Sequence, residues 1–72
     1  MLFRSEIYYI TDGTGRIRID GELRDVRPGD AIAIPPGKTH KLWNTGTGVL
    51  RLLCCCAPGY EHDDTVITEG RP

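Results

Sequence analysis

The side chains best suited to chemistry in this sequence are two histidines, three cysteines and scattered carboxylates. The histidines are His40 and His62, and the cysteines are consecutive, from Cys54 to Cys56. His40 follows a Pro-Pro-Gly segment, whose prolines hold rigid the backbone that presents the imidazole. An imidazole combined with a carboxylate suits divalent iron, manganese, nickel or zinc. A lone histidine in a strand is nevertheless more often structural or exposed than a ligand, so the residue types alone leave its role open.

The cysteine run allows two interpretations. An odd number of cysteines argues against a closed disulfide framework, and no C-x-x-C spacing indicates a zinc or redox motif. In a strand, Cys54 and Cys56 share one face and Cys55 takes the other. One interpretation is three small, buried, reduced side chains. The other is a thiol at the mouth of a pocket, reactive or metal-binding.

The elements that must position these residues are short strands. Apolar residues recur with a period of two, Gly, Pro and Asp interrupt them, and no segment has a helical period. Asp-Gly at positions 20–21 predicts a tight hairpin, and the spacing of Leu23 and Val26 indicates a bulge or an imprecise strand end. The predicted strands are Glu6–Asp12, Arg16–Asp20, Glu22–Arg27, Ala31–Ile34, His40–Asn44 and Val49–Ala57. This pattern predicts an all-β sandwich or barrel.

The size and charge of the chain exclude several classes of function. Its 72 residues allow one small domain, and 9 Lys+Arg against 10 Asp+Glu give a net charge of −1. That balance argues against a nucleic-acid partner. The longest apolar stretch, residues 49–58, contains Arg51 and is too short to cross a bilayer, and no signal peptide is visible. The expectation is a soluble, cytoplasmic protein without a membrane partner.

A longer pattern resembles a known family. Five residues from Gly29 onward match the second cupin motif, G-x5-P-x-G-x2-H-x3-N: Gly29, Pro35, Gly37, His40 and Asn44. Upstream, Glu6 and Gly13 resemble the second half of the first cupin motif, H-x-H-x3–4-E-x6-G. The chain is similar to small single-domain cupins of the mannose-6-phosphate-isomerase-like type.

The resemblance implies a cupin-type double-stranded β-helix, a jelly-roll barrel. Residues 1–57 would form the barrel and residues 58–72 a polar C-terminal tail. The H-x-H of the first motif would fall at or before Met1 and Leu2 and is missing, so the barrel is expected to be incomplete at its N-terminus. Relative to the family, the start at Met1 is expected to lie too late.

The resemblance also implies a site. Glu6 and His40 correspond to metal ligands, and Tyr8 and Asn44 to residues of a substrate pocket. His62 could supply a further ligand if the tail folds over the pocket. With so few ligands, a divalent metal is expected to bind weakly or not at all. Alternatives stay open: Glu6 at a surface strand edge, Tyr8 in the core, and Asn44 closing a turn.

Two functions compete on this basis. One is a metal-dependent enzyme resembling sugar-phosphate isomerases or dioxygenases, acting on a small polar substrate through an incomplete metal site. The alternative is a metal-free cupin module that binds a small molecule or dimerises. A third interpretation is a truncated, non-functional remnant of such a protein. Open strand edges invite pairing, so a homodimer is expected.

Overall fold

The chain folds into two antiparallel sheets. The computed structural model describes residues 5–57 and 61–71, and the side chains of residues 6–55 and 65–71. The described strands are β1 (Ser5–Asp12), β2 (Gly15–Ile19), β3 (Glu22–Val26), β4 (Ala31–Ile34), β5 (His40–Asn44), β6 (Leu50–Ala57) and β7 (Glu61–Ile67). One sheet has the strand order β4-β1-β6-β7 and the other β3-β2-β5. The all-β class predicted from the sequence is confirmed. No helix in the described part of the chain has the length and hydropathy of a membrane span.

The core lies between the two sheets and follows the period of two. In β4, for example, Ala31 and Ala33 are exposed while Ile32 and Ile34 are buried. Side chains alternate across a strand, so each strand contributes only every second residue to the interior. Burying one such side chain contributes about 1.5–3 kcal/mol. The core cluster consists of Ile10, Ile17, Val26, Ile32, Ile34, Leu50 and Leu52.

The hairpin between β2 and β3 is the one that the Asp-Gly dipeptide predicts. Asp20 and Gly21 both have positive φ, 50° and 89° respectively. Two such residues in a row produce the turn whose twist matches the flanking strands. The pairing then runs without a shift from Ile19 opposite Glu22 to Gly15 opposite Val26.

The irregularity in pairing lies in β1 and not in β3. The register between β1 and β6 shifts between Ile10, opposite Leu52, and Asp12, opposite Arg51. The odd spacing of Leu23 and Val26 has a simpler cause, because residues three apart in a regular strand face opposite sides. Val26 is accordingly buried, while Leu23 is 59% exposed.

Part of the segment predicted as a polar tail forms β7. This strand pairs with β6 from Leu50 opposite Ile67 to Cys56 opposite Glu61. Thr, Val and Ile at positions 65–67 favour strand structure, and β6 offers its second edge to them. Residues 61–67 therefore extend the first sheet, beyond the barrel boundary expected at residue 57.

Candidate functional site

A small cavity lies between the sheets, beside the predicted site residues. Its volume is about 280 Å³. We call it the Tyr8 cavity, and its lining residues are Tyr8, His40, Lys41, Leu42, Leu52, Cys54, Thr65 and Ile67. β1 and β6 are neighbours in one sheet, whereas β5 is an edge strand of the other. β1, β6 and β7 thus form one wall of the cavity and β5 forms the other, although these strands lie far apart in the sequence.

Tyr8 and His40 meet across the gap between the sheets. The Tyr8 hydroxyl and His40 Nε2 are 3.0 Å apart and form a hydrogen bond. When Nε2 carries the hydrogen it donates to the hydroxyl oxygen, and in the other tautomer the hydroxyl donates to Nε2. The two rings also pack edge to face, with centroids 5.8 Å apart and an interplanar angle of 72°. The contact fixes the orientation of an imidazole that is itself exposed.

Glu6 and Cys54 form a second contact on the same side of the first sheet. The Cys54 thiol donates to Glu6 Oε2 at 3.5 Å, and both residues are half-buried. Cys54 stands directly opposite Tyr8 in the pairing of β1 with β6. The thiol therefore lines the cavity, while the Glu6 carboxylate lies outside its lining.

The donor set for a metal ion is incomplete in the part of the chain that is described. No group of three or more His, Cys, Asp or Glu side chains comes together there. His40 Nε2 is bonded to Tyr8, and the Glu6 carboxylate accepts a bond from Cys54. Imidazole and carboxylate are suitable donors, but protein sites for such ions generally use at least three. The described residues alone do not fit a metal, and we derive no chemical step through one.

His62 lies in β7, where its backbone is paired with Cys55. Its side chain falls outside the described residues. The prediction that it supplies an extra ligand therefore stays a prediction.

Asn44 has a structural position away from the cavity lining. Its Nδ2 group donates to the carbonyls of Gly48, at 2.7 Å, and Ile67, at 3.1 Å. Its Oδ1 accepts from the Gly46 amide at 2.8 Å. The side chain is 7% exposed, and every bond goes to backbone. Of the roles considered for Asn44, these contacts fit the closing of a turn, because they leave it no free donor for a ligand in the cavity.

Several lining residues were not predicted from the sequence. Lys41 and Thr65 line the cavity with His40 and Tyr8. Thr65 belongs to the segment expected to be a polar tail. The β-branched residues next to it were the one local indication of a strand there. Cys54 is half-buried and lines the cavity, which is closer to the pocket interpretation than to full burial.

The fold and the site residues define a class of protein. The family model described as Cupin domain matches residues 4–56, most of the chain, and the chain belongs to the cupin family. The two antiparallel sheets fit the jelly-roll barrel of that family. The matched range contains Glu6, Tyr8 and His40.

Among curated proteins, the chain is 48% identical over 64 residues to the uncharacterized protein MJ1618 of Methanocaldococcus jannaschii. It is 38% identical over 69 residues to mannose-1-phosphate guanylyltransferase ManC of Salmonella typhimurium, and 33% identical over 64 residues to mannose-1-phosphate guanylyltransferase of Escherichia coli. The alignments cover 89%, 94% and 89% of this chain, but only 51%, 14% and 13% of the three relatives. The chain thus spans about half the length of MJ1618 and a small part of the two transferases. No solved structure matches the chain.

Proposed function

We propose that this cupin domain binds a small hydroxylated molecule of the sugar-phosphate type in the Tyr8 cavity. The observation that carries the proposal is the hydrogen bond between the Tyr8 hydroxyl and His40 Nε2 at the cavity wall. A hydroxyl paired with an imidazole can both donate to and accept from a sugar hydroxyl. Leu42, Leu52 and Ile67 supply the apolar surface that ligand cavities combine with a few polar groups.

The size and charge of the cavity agree with such a ligand. A volume of about 280 Å³ is near the lower end of the range for small-molecule sites, which suits a monosaccharide-sized molecule. Lys41 also lines the cavity, but it alternates with His40 along β5, so its ammonium group meets only a phosphate that projects past the β5 edge. Two relatives whose names specify mannose 1-phosphate add support for the ligand class. A more specific version of the proposed function is a sugar-isomerase-like activity, in which the Tyr8–His40 pair holds or moves a proton.

An NMR titration with mannose 1-phosphate tests the proposal, with mannose as the uncharged comparison. The amide shifts caused by mannose, which carries no phosphate, should concentrate on residues that line the cavity. His40→Gln should weaken binding of both ligands by about tenfold. Lys41→Gln should weaken binding of the phosphorylated ligand only, and Lys38→Gln, a surface lysine paired with Asp20, should leave it unchanged. Mannose shifts confined to residues outside the cavity, or full affinity for mannose in His40→Gln, would overturn the proposal.

A second candidate is a metal-dependent activity on the same kind of small polar substrate. The observation in its favour is that the Glu6 carboxylate and the His40 imidazole both flank Tyr8, one along β1 and one across the cavity. Further donors would come from water, from His62, from a partner chain or from a segment upstream of Met1. Elemental analysis under reducing conditions tests this candidate. Stoichiometric iron, manganese, nickel or zinc that is lost in His40→Ala would support it, and metal-free folded protein would contradict it.

A further inference from the structure

A second opening between the sheets lies away from the Tyr8 cavity. β3 and β4 are edge strands of different sheets, and the turn at residues 27–30 joins them. The space between them has a volume of about 720 Å³ and shares no lining residue with the Tyr8 cavity. We call it the β3–β4 cleft. The buried side chains of Val26 and Ile32 are among its lining residues.

Two arginines give this cleft its chemistry. Arg24 stands opposite Ile17, which is fully buried, so its side chain leaves β3 on the face that looks toward the other sheet. Arg27 follows at the end of β3, and both residues line the cleft. Across the residues that the structure describes, neither guanidinium takes part in a hydrogen bond or an ion pair.

The two carboxylates that line the cleft already have partners. The Asp25 carboxylate accepts a hydrogen bond from Arg16 Nε at 2.8 Å, and Arg16 is not among the lining residues of the cleft. Asp30 Oδ2 accepts from the backbone amide of Arg27 at 3.0 Å. The carboxylates are thus held by other groups, while the two guanidinium groups are available to an anion. With Arg16 paired to Asp25, three arginines against two aspartates leave one net positive charge around the cleft.

We propose that the β3–β4 cleft binds a small organic phosphate, with Arg24 and Arg27 holding its phosphate group. A guanidinium presents donors in a planar fork that matches phosphate oxygens, and two of them complement a dianion. The volume exceeds the space that a phosphate ion alone needs and lies within the range of small-molecule sites. Thr14 and Thr45 also line the cleft and offer hydroxyl groups to the organic part of the ligand.

The experiment compares glycerol 3-phosphate with inorganic phosphate at constant ionic strength, followed by NMR on the full chain. Glycerol 3-phosphate should shift the amides of Thr14, Gly15 and Thr45 and bind more tightly than inorganic phosphate. The double variant Arg24→Gln/Arg27→Gln should lose about tenfold or more in affinity. The control Arg51→Gln/Arg71→Gln removes the same charge from exposed positions outside the cleft and should change the affinity by less than about twofold.

Equal losses in the two double variants would mean that only the overall charge matters, and would overturn the proposal. So would an absence of saturable shifts at about 20 mM ligand. Equal affinity for inorganic phosphate would contradict the organic part of the ligand. All four arginines are exposed, so folding is expected to survive, and the single variant Arg27→Gln repeats the test at half the charge change. His40→Gln should leave cleft binding unchanged, which separates this site from the Tyr8 cavity.

Discussion

The Tyr8 hydroxyl, on β1 of one sheet, is hydrogen-bonded to His40 Nε2, on β5 of the other. We predict that Tyr8→Phe keeps the fold but weakens binding of a sugar phosphate in the Tyr8 cavity by about 3- to 10-fold, because one hydrogen bond contributes about 0.5–1.5 kcal/mol. The matched control is Tyr9→Phe, which removes the same atom from the 43% exposed neighbour on the outer face. Titration calorimetry on both variants checks this, and equal affinities would contradict it.

Asn44 bonds to backbone groups, so its substitution is expected to act on stability. Its side chain makes three hydrogen bonds, which connect β5 to the turn at residues 46–48 and to β7. We predict that Asn44→Ala lowers the free energy of unfolding by about 2–4 kcal/mol, because buried backbone groups lose their partners. The melting temperature should fall by about 10 °C or more. Thr47→Ala, an exposed position in the same turn, is the control, and similar melting temperatures for both variants would contradict the account.

At the scale of elements, the turn between β1 and β2 depends on Gly13. Its φ is +80°, and a Cβ at this position would collide with the backbone carbonyl of Val49. We predict that Gly13→Ala lowers the free energy of unfolding by more than about 2 kcal/mol, because strain and collision add. Gly48→Ala is the matched control, since a Cβ there meets open space without a positive φ. Denaturant unfolding measures both, and a small loss in Gly13→Ala would show that the turn can rearrange.

The strands before residue 58 were predictable because each carries its own local signal. Alternation marks β2 and β4, and Asp20-Gly21 marks the hairpin that follows β2. β7 was not predicted, because its first half is polar and its place in the sheet depends on the distant β6. The bulge in β1 likewise depends on the register with β6, which no local pattern encodes.

The residues of the candidate site were likewise predictable only in part. His40 and Tyr8 were predicted from residue type and motif, and the structure brings them together. Lys41 was not, because alternation along β5 puts it on the face opposite His40, and Thr65 was not, because it reaches the cavity through the pairing of β7 with β6. Sequence patterns thus singled out two residues that meet at the Tyr8 cavity but not the wall around them, and the roles expected for these residues stay predictions.

At the scale of the whole molecule, the open strand edges bear on whether copies of the chain associate. β3 and β4 are edge strands of their sheets, and Ile7 and Tyr9 are 46% and 43% exposed. Unpaired edges and exposed apolar side chains favour association between copies. We predict that sedimentation equilibrium gives a homodimer, with about twice the chain mass of 8.0 kDa. A single species at the monomer mass over the whole concentration range would contradict this prediction.

The two proposed sites use the interior of the barrel differently. The Tyr8 cavity opens beside β5, whereas the β3–β4 cleft opens between two other edge strands. Because they share no lining residue, substitutions in one should leave the other intact. Independent losses in the His40 and Arg24/Arg27 variants would therefore separate two binding sites from one general affinity for anions.

In our proposal, the Tyr8 cavity binds its ligand with this chain's own side chains and without a metal ion. The most direct measurement is titration calorimetry of mannose 1-phosphate into the EDTA-treated chain, repeated after addition of manganese or zinc. We expect saturable binding without metal, a dissociation constant that changes by less than about twofold when metal is added, and about tenfold weaker binding in His40→Gln. Binding that appears only after metal is added would contradict the account and favour the metal-dependent candidate.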